Sequence, residues 1–276
     1  MPPRHPERTD EKNVGTTRNA RFHPLFWTAD MRVSESESLD EQRLVDCLTA
    51  GLTGVAERVI VGLNWTLVIG PDGAGMAQTP ARGTAGCRSL PTPGEYTGQT
   101  LERLAALWPS DNIFEHTIAV AAVNAHWNRF DSPDCPGNGL DLVEDHGERT
   151  VVIGRFPGLA RRAPGIAVVE REPRPGEFPE DAIDTLLPKA KFVAVTASTI
   201  VNGSLPRILS LCQQAFVLMI GPSTPLAPAL FDLGIDALSG FVATDLDNLA
   251  RSVSEGAAVA ALRPFGRYTT LRRPAG

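Results

Sequence analysis

Two short hydroxyl-rich segments carry the densest set of ligand-grade side chains in the sequence. Thr196-Ala197-Ser198-Thr199-Ile200-Val201-Asn202-Gly203 sets three hydroxyls ahead of an amide side chain, and Gly221-Pro222-Ser223-Thr224-Pro225 frames two hydroxyls between prolines. Each follows a β-rich apolar run and precedes a helical pattern, so each belongs to a strand-to-helix loop. Helix capping accounts for one hydroxyl per segment. Two neighbouring loops with the same chemistry point further, to a ligand site, because open α/β sheets bind ligands beyond the carboxyl ends of their strands. Hydroxyls and helix-start amides would donate there to a carboxylate or phosphate. Glu170 ends another such run and adds a carboxylate able to take a ribose hydroxyl or a metal ion. The first run ends in Gly154-Arg155-Phe156-Pro157-Gly158, a turn whose backbone an anion can approach. It is not GxGxxG, and the short spacing to the next strand leaves little room for a phosphate-binding helix, so a dinucleotide is not expected.

Other chemistries are thinly represented. The four cysteines, Cys47, Cys87, Cys135 and Cys212, form no CxxC, which argues against a zinc finger or disulfide scaffold and for a reducing compartment, the cytoplasm. HExxH, GxSxG, Walker A and EF-hand patterns are absent. His116 and His126 are not spaced as an i, i+4 metal pair. His126, Asp131, Asp134 and Cys135 would reach one metal ion if the loop at 128–140 folds back, although polar residues in a turn need no metal to explain them.

The elements that must position these residues can be read from pattern. The chain has 276 residues, 42% of them hydrophobic, enough to bury a sizeable core. Its formal charge of −6 argues against nucleic-acid binding driven by counterion release. No run approaches the roughly 18 apolar residues of a membrane span, and the polar segment from Met1 to Asp30 lacks the apolar stretch of a secretory leader. Residues 1–38 read as a mobile extension by composition. An N-terminal α+β domain follows at 39–130: a helix through Leu44, Val45, Leu48 and Leu52, one strand over 58–69, a Pro71-Asp72-Gly73 turn with a return strand, and helices at 100–108 and 111–127. The second helix has an Ala-rich centre that predicts close packing. A Pro- and Gly-rich linker covers 131–148. From 149 to 270, strands at 150–156, 166–171, 192–196, 215–220 and, more weakly, 238–243 alternate with helices at 179–187, 200–213, 225–233 and 246–255. Strands buried on both faces alternating with helices predict an α/β fold with a mainly parallel, Rossmann-like sheet.

Taken in order, TASTIVNGSL at 196–205, GPSTPL at 221–226 and Phe231-Asp232-Leu233-Gly234 followed by Leu238-Ser239-Gly240 resemble the heavy-metal chelation domain, a family once catalogued only as a domain of unknown function. Val151 to Pro157 and Val168 to Glu170 fit its first two strands. Gly62-Leu63-Asn64-Trp65-Thr66 and Ile118 to Ala125 look like its companion N-terminal domain, so the resemblance spans residues 40–267. It implies an N-terminal domain similar to the enolase amino-terminal fold, an atypical Rossmann-like C-terminal domain, and a site in the cleft between them for a heavy metal or its chelate. Carried over by motif, the site positions are Glu170, Thr196, Ser198, Thr199, Asn202, Gly221, Ser223 and Thr224, with Asn124 facing the cleft from the other domain. Ala197 stands where the family often has Gly, and Lys191 where it often has Asp, so a close backbone approach and one acidic group are lost.

Oxygen-rich strand ends suit a hard cation or an anionic chelator, whereas soft metals prefer thiolates. The expected ligand is therefore a metal ion or, on the chemistry, a small metal chelate. The alternative is an enzyme, a transferase or lyase of metallophore or cofactor synthesis with Glu170 as anchor or acid/base; no histidine base is evident beside Ser198 or Ser223. Expected partners are a small molecule or metal and neither nucleic acid nor membrane, with a homodimer left open. Native mass spectrometry with elemental analysis of protein purified without chelators is expected to find stoichiometric metal. The Glu170→Ala variant should lose it together with a small organic mass, and both Glu170→Ala and Asn202→Ala should melt near wild type. A metal-free protein carrying an organic mass selects the enzyme instead, and melting far below wild type makes both residues structural caps.

Overall fold

The computed structural model describes residues 41–80, 89–133, 135, 139–143, 149–159, 163 and 165–274, all within one compact unit. The extension at 1–38, Cys87, Asp134 and His146 lie outside the described residues. Helix α1 (Glu41–Thr49) buries Leu44 and Leu48, four residues apart and so on one face. The apolar run at 58–69 is two strands, not the single one expected. β1 (Arg58–Val61) and β2 (Trp65–Ile69) pair antiparallel, closed by Gly62 N–H donating to Trp65 O at 2.9 Å. Gly62-Leu63-Asn64 supplies a tight turn that interrupts the strand pattern without interrupting its hydrophobicity. β3 (Ala74–Gln78) returns through the expected Pro71–Gly73 turn and completes a three-stranded sheet in the order β1-β2-β3.

Helix α2 (Leu101–Ala105) starts at Thr100, whose hydroxyl accepts Arg103 N–H at 3.1 Å. Helix α3 (Ile113–Trp127) starts at Asn112, whose Oδ1 accepts Phe114 N–H at 3.0 Å. Every residue of α3 from Thr117 to Ala125 is buried, as the Ala-rich centre predicts. Small residues let this helix lie directly on the sheet: a Cβ added at Gly75 would stand 2.1 Å from Ala125 N and 2.2 Å from Ala121 O. No side chain fits between the two at position 75.

The second half builds a seven-stranded sheet. β4 (Thr150–Ile153), β5 (Ala167–Glu170), β6 (Phe178–Pro179), β7 (Phe192–Thr196), β8 (Phe216–Ile220) and β9 (Ala237–Ala243) run parallel, and β10 (Gly266–Arg272) closes the edge antiparallel to β9. The spatial order is β10-β9-β8-β7-β4-β5-β6. The connecting helices are short: α4 (Ile183–Leu186), α5 (Ser198–Val201), α6 (Leu205–Leu211), α7 (Leu246–Ser254) and α8 (Val259–Leu262). The helix expected over 200–213 is broken into α5 and α6 at Asn202-Gly203, with Gly203 at φ +72°. The segment at 225–233 is one 3-10 turn from Pro228 to Phe231. The weak run at 238–243 is a fully buried seven-residue strand whose Ser239 and Gly240 dilute its apolar signal. Among the described residues no helix is long and apolar enough to cross a membrane.

Alternation along the parallel strands divides the core. Val151, Val193, Val195, Val217 and Met219 join α1, α2 and α3 in one continuous cluster, whereas Val152, Phe192, Ala194, Leu218 and Ile220 face the other side. Trp65, Leu67, Ile69 and Met76 of the small sheet pack on Phe241, Ala243, Leu249 and Val253. The two halves thus bury apolar surface against each other, and buried polar groups fix their register. Asn128, at the end of α3, accepts Leu226 N–H at 2.9 Å and donates to Thr224 O at 3.0 Å and Phe241 O at 3.2 Å. Asn124, one turn earlier, donates to Met76 O at 2.8 Å and Ser223 O at 2.9 Å. Leaving a buried backbone group without its partner costs about 1–3 kcal/mol. Replacing Asn128 with Ala strips three such groups, so urea denaturation should show Asn128→Ala destabilised by about 3 kcal/mol or more. Asn128→Asp, which keeps an acceptor but loses both donors and buries a charge, should be no better.

Candidate functional site

Chain order and spatial order part company between β4 and β7. From β4 the chain steps outward to β5 and β6, then crosses back to place β7 on the opposite flank of β4 and continues through β8 and β9. At such a reversal the loops leaving the two central strands diverge and open a crevice at their carboxyl ends. Here that switch point lies between the loop after β4, which begins Gly154-Arg155, and the loop after β7, Ala197-Ser198. Gly154 has φ +100°, and a Cβ there would meet Thr196 Cγ2 at 2.6 Å, so only glycine lets the two loops approach.

The groups at this edge are partly exposed: Gly154, Arg155, Glu170, Thr196, Ser198 and Gly221. Thr196 and Ser198 hydroxyls lie 3.1 Å apart and share one hydrogen bond. Glu170 Oε2 accepts Arg171 N–H at 3.2 Å. Gly221, at φ +133°, starts the turn after β8, in which Thr224 N–H donates to Gly221 O at 3.0 Å. Arg155 is the best-ordered charge here. Its Nε donates to Glu177 Oε1 at 2.9 Å, and its Nη2 donates to Glu177 Oε2 at 2.5 Å and to Glu172 O at 3.0 Å. A guanidinium has five N–H donors. The two on Nη1 have no partner among the described residues, although the side chain is only 31% exposed. The paired Arg155, with Arg174 N–H at 2.8 Å, holds the Glu177 carboxyl down to a pKa of about 2. The same pairing raises the Arg155 pKa. Sequence reasoning passed over both side chains, because Arg155 was read only as part of a backbone turn and Glu177 lies 22 residues away.

The remaining residues expected at the site are placed elsewhere or spent on the fold. Thr199 is buried and its hydroxyl donates to Thr196 O at 2.7 Å. Ser223 is buried and accepts Gln78 N–H at 3.2 Å. Thr224 and Asn124 are fully buried in the junction between the halves, with Thr224 Oγ1 and Asn124 Oδ1 unsatisfied by protein. Asn202 stands at the far end of α5, where its Oδ1 accepts Ser204 N–H at 3.0 Å and Ser204 Oγ–H at 2.6 Å. It lines a separate cleft of about 400 Å³ with Trp108 and His116. Of the loop considered for a metal, Asp131 is engaged by Arg129 at 2.9 Å, which holds its carboxyl below the usual range. Burial, with Arg129 nearby, lowers the His126 imidazole. Cys135 is exposed and donates its N–H to Thr269 Oγ1 at 3.3 Å. Among the described residues no three His, Cys, Asp or Glu side chains converge as metal ligands. The edge therefore offers hydroxyls, a guanidinium and one carboxylate, a donor set for an anion or for oxygen-rich coordination rather than for a bare soft metal.

Known proteins with this architecture share both halves. One family profile, DUF364, matches residues 138–272, and a second, DUF4213, matches residues 45–127; both are described as "Putative heavy-metal chelation". The crystal structure of a DUF364-family protein of unknown function from Desulfitobacterium hafniense DCB-2 is similar with a TM-score of 0.77 and 25% identity, over 84% of this chain and 98% of that one. Another, from Pyrococcus horikoshii, shares the fold with a TM-score of 0.67 at 21% identity, over 84% of this chain and 98% of that one. No curated protein matches the chain. With both profiles matched in order and the same fold along nearly the whole length of the solved relatives, the chain belongs to the family that the DUF364 and DUF4213 profiles define.

Proposed function

We propose that the protein binds a small anionic metal chelate in the crevice between the β4 and β7 loops, within an enolase-like and Rossmann-like pair of halves and in the cytoplasm. The observation that carries this reading is Arg155: a guanidinium held by Glu177 and Glu172, with both Nη1 N–H groups left over among the described residues, in the loop that packs against Thr196 through Gly154. The two Nη1 N–H groups diverge from one nitrogen, so they donate to two separate oxygens of a carboxylate-rich ligand, and the Thr196 and Ser198 hydroxyls of the neighbouring loop extend the match. The family description supplies the metal. The donor set favours its arriving already coordinated, since hydroxyls and one carboxylate hold a soft ion poorly.

Calorimetric titration with nickel(II) citrate, against nickel chloride and citrate alone, tests this. The chelate should bind one to one, and Arg155→Lys or Thr196→Val should weaken it about tenfold or more, because an ammonium cannot keep the bonds to Glu177 and Glu172 while donating to the ligand and a methyl cannot replace the hydroxyl. Nickel ion binding as tightly as its citrate complex, and unmoved by either substitution, overturns the reading.

The Arg155–Glu177 pair also predicts an acid dependence. The folded carboxyl titrates near 2, below its usual range, so its stabilising contribution is complete above that range and disappears as pH falls toward about 2. Denaturant midpoints of wild type and Glu177→Gln should therefore differ at pH about 6 and converge as pH falls through about 4 toward 2. A gap that persists unchanged at the acid end would assign Glu177 a packing role only.

A further inference from the structure

The cleft at the far end of α5 is built around one residue, Trp108, which holds two polar side chains with its own two polar groups. Its indole Nε1 donates to Glu41 Oε1 at 3.3 Å, and its carbonyl lies 2.6 Å from His116 Nδ1. A carbonyl only accepts, so the proton sits on Nδ1. In the neutral form of that ring Nε2 is the acceptor, and Nε2 has no partner among the described residues. The indole and imidazole rings meet edge-on with centroids 5.4 Å apart, which fixes the ring as well as the tautomer. Ile113 and Val201 supply apolar wall to the same cleft, and Asn202 stands at its rim with its Oδ1 already taken by Ser204. About 400 Å³ is far more than one ion needs and falls in the range of small-molecule sites.

We propose that this cleft is a second binding site, distinct from the β4–β7 crevice, for a small organic amine with an apolar body. Its ammonium is received by Glu41 and His116 Nε2, and its hydrocarbon part lies against Trp108, Ile113 and Val201. The chemistry selects this class because both held side chains are acceptors and one is a carboxylate, while the walls are apolar. The inference is independent of the chelate reading, since it shares no residue with that crevice.

Titration with phenethylammonium, followed by calorimetry and tryptophan fluorescence, tests it against its uncharged counterpart 2-phenylethanol. The ammonium should bind saturably with a Kd in or below the low millimolar range and at least about tenfold tighter than the alcohol. Glu41→Gln, which keeps an acceptor for the indole and removes only the charge, should erase that preference. The ¹⁵N resonance of His116 Nε2 should shift on binding, and Thr196→Val should leave binding unchanged. His116→Gln is the second variant, and it should weaken the ammonium more than the alcohol. Equal binding of alcohol and ammonium, no saturation up to about 10 mM, loss of binding in Thr196→Val, or displacement of the ammonium by zinc ion alone at equimolar concentration would each overturn the proposal.

Discussion

The structure depends on burying two amide side chains, Asn124 in the apolar centre of α3 and Asn128 at its end. An amide taken out of water destabilises the fold unless the protein replaces its hydrogen bonds, and of these two amides only Asn124 Oδ1 is left without one. Asn128 finds three on the β8–β9 connection and β9, and Asn124 finds two, one on β3 and one on the same connection. Apolar packing alone tolerates sliding, because the hydrophobic effect has no direction. These hydrogen bonds do not. They set the small sheet, α3 and the loop after β8 in a single register. That register is reachable only because Ala121 and Ala125 let the helix backbone come down onto Gly75.

This clasp decides where a ligand can go. The loop after β8 resembles the loop after β7 in composition, yet the two have different roles. Ser223 and Thr224 lie under α3 and β3, their backbone carbonyls committed to the asparagines. The carboxyl ends of β4 and β7 keep their loops partly exposed, and the order in which strands join the sheet reverses there. Topology and burial thus both distinguish the β4–β7 edge from the loop after β8. The bare Cα of Gly154 brings the two loops together, and the Glu177 carboxylate holds the Arg155 guanidinium in place.

The fold was largely legible in the sequence because its strands are short apolar runs bounded by Gly and Pro, and α3 announces itself by a long alanine-rich stretch. What was not legible has physical causes. The β1–β2 hairpin hides inside one hydrophobic run because Leu63 sits, 70% exposed, at the turn. Strand β10 (GRYTTLR) carries no clear core pattern, since it covers one edge of β9 and is half-buried throughout most of its length. At the site, residue types in a loop show capacity for a ligand but not whether that capacity is already used. Thr196 and Thr224 read alike until the clasp shows which of them is buried. Arg155 escaped notice because its meaning comes from Glu177, and no local pattern connects residues that meet only across two loops.

On the chelate reading, the charges around the crevice bear on selectivity. Arg155 is the cation at its centre, and Glu170, Glu172 and Glu177 all act on it electrostatically. Arg171 is drawn off to Glu180, at 3.3 Å. A chelator without its metal carries its full negative charge toward these carboxylates, and like charges a few ångströms apart repel even through a partly wet surface. Coordination to a divalent or trivalent ion cancels most of that charge while leaving a carboxylate edge for Nη1 of Arg155 to grip. The same carboxylates that weaken binding of the empty chelator then cost the loaded one little. The discrimination comes from the repulsive groups, with the arginine fork supplying the affinity.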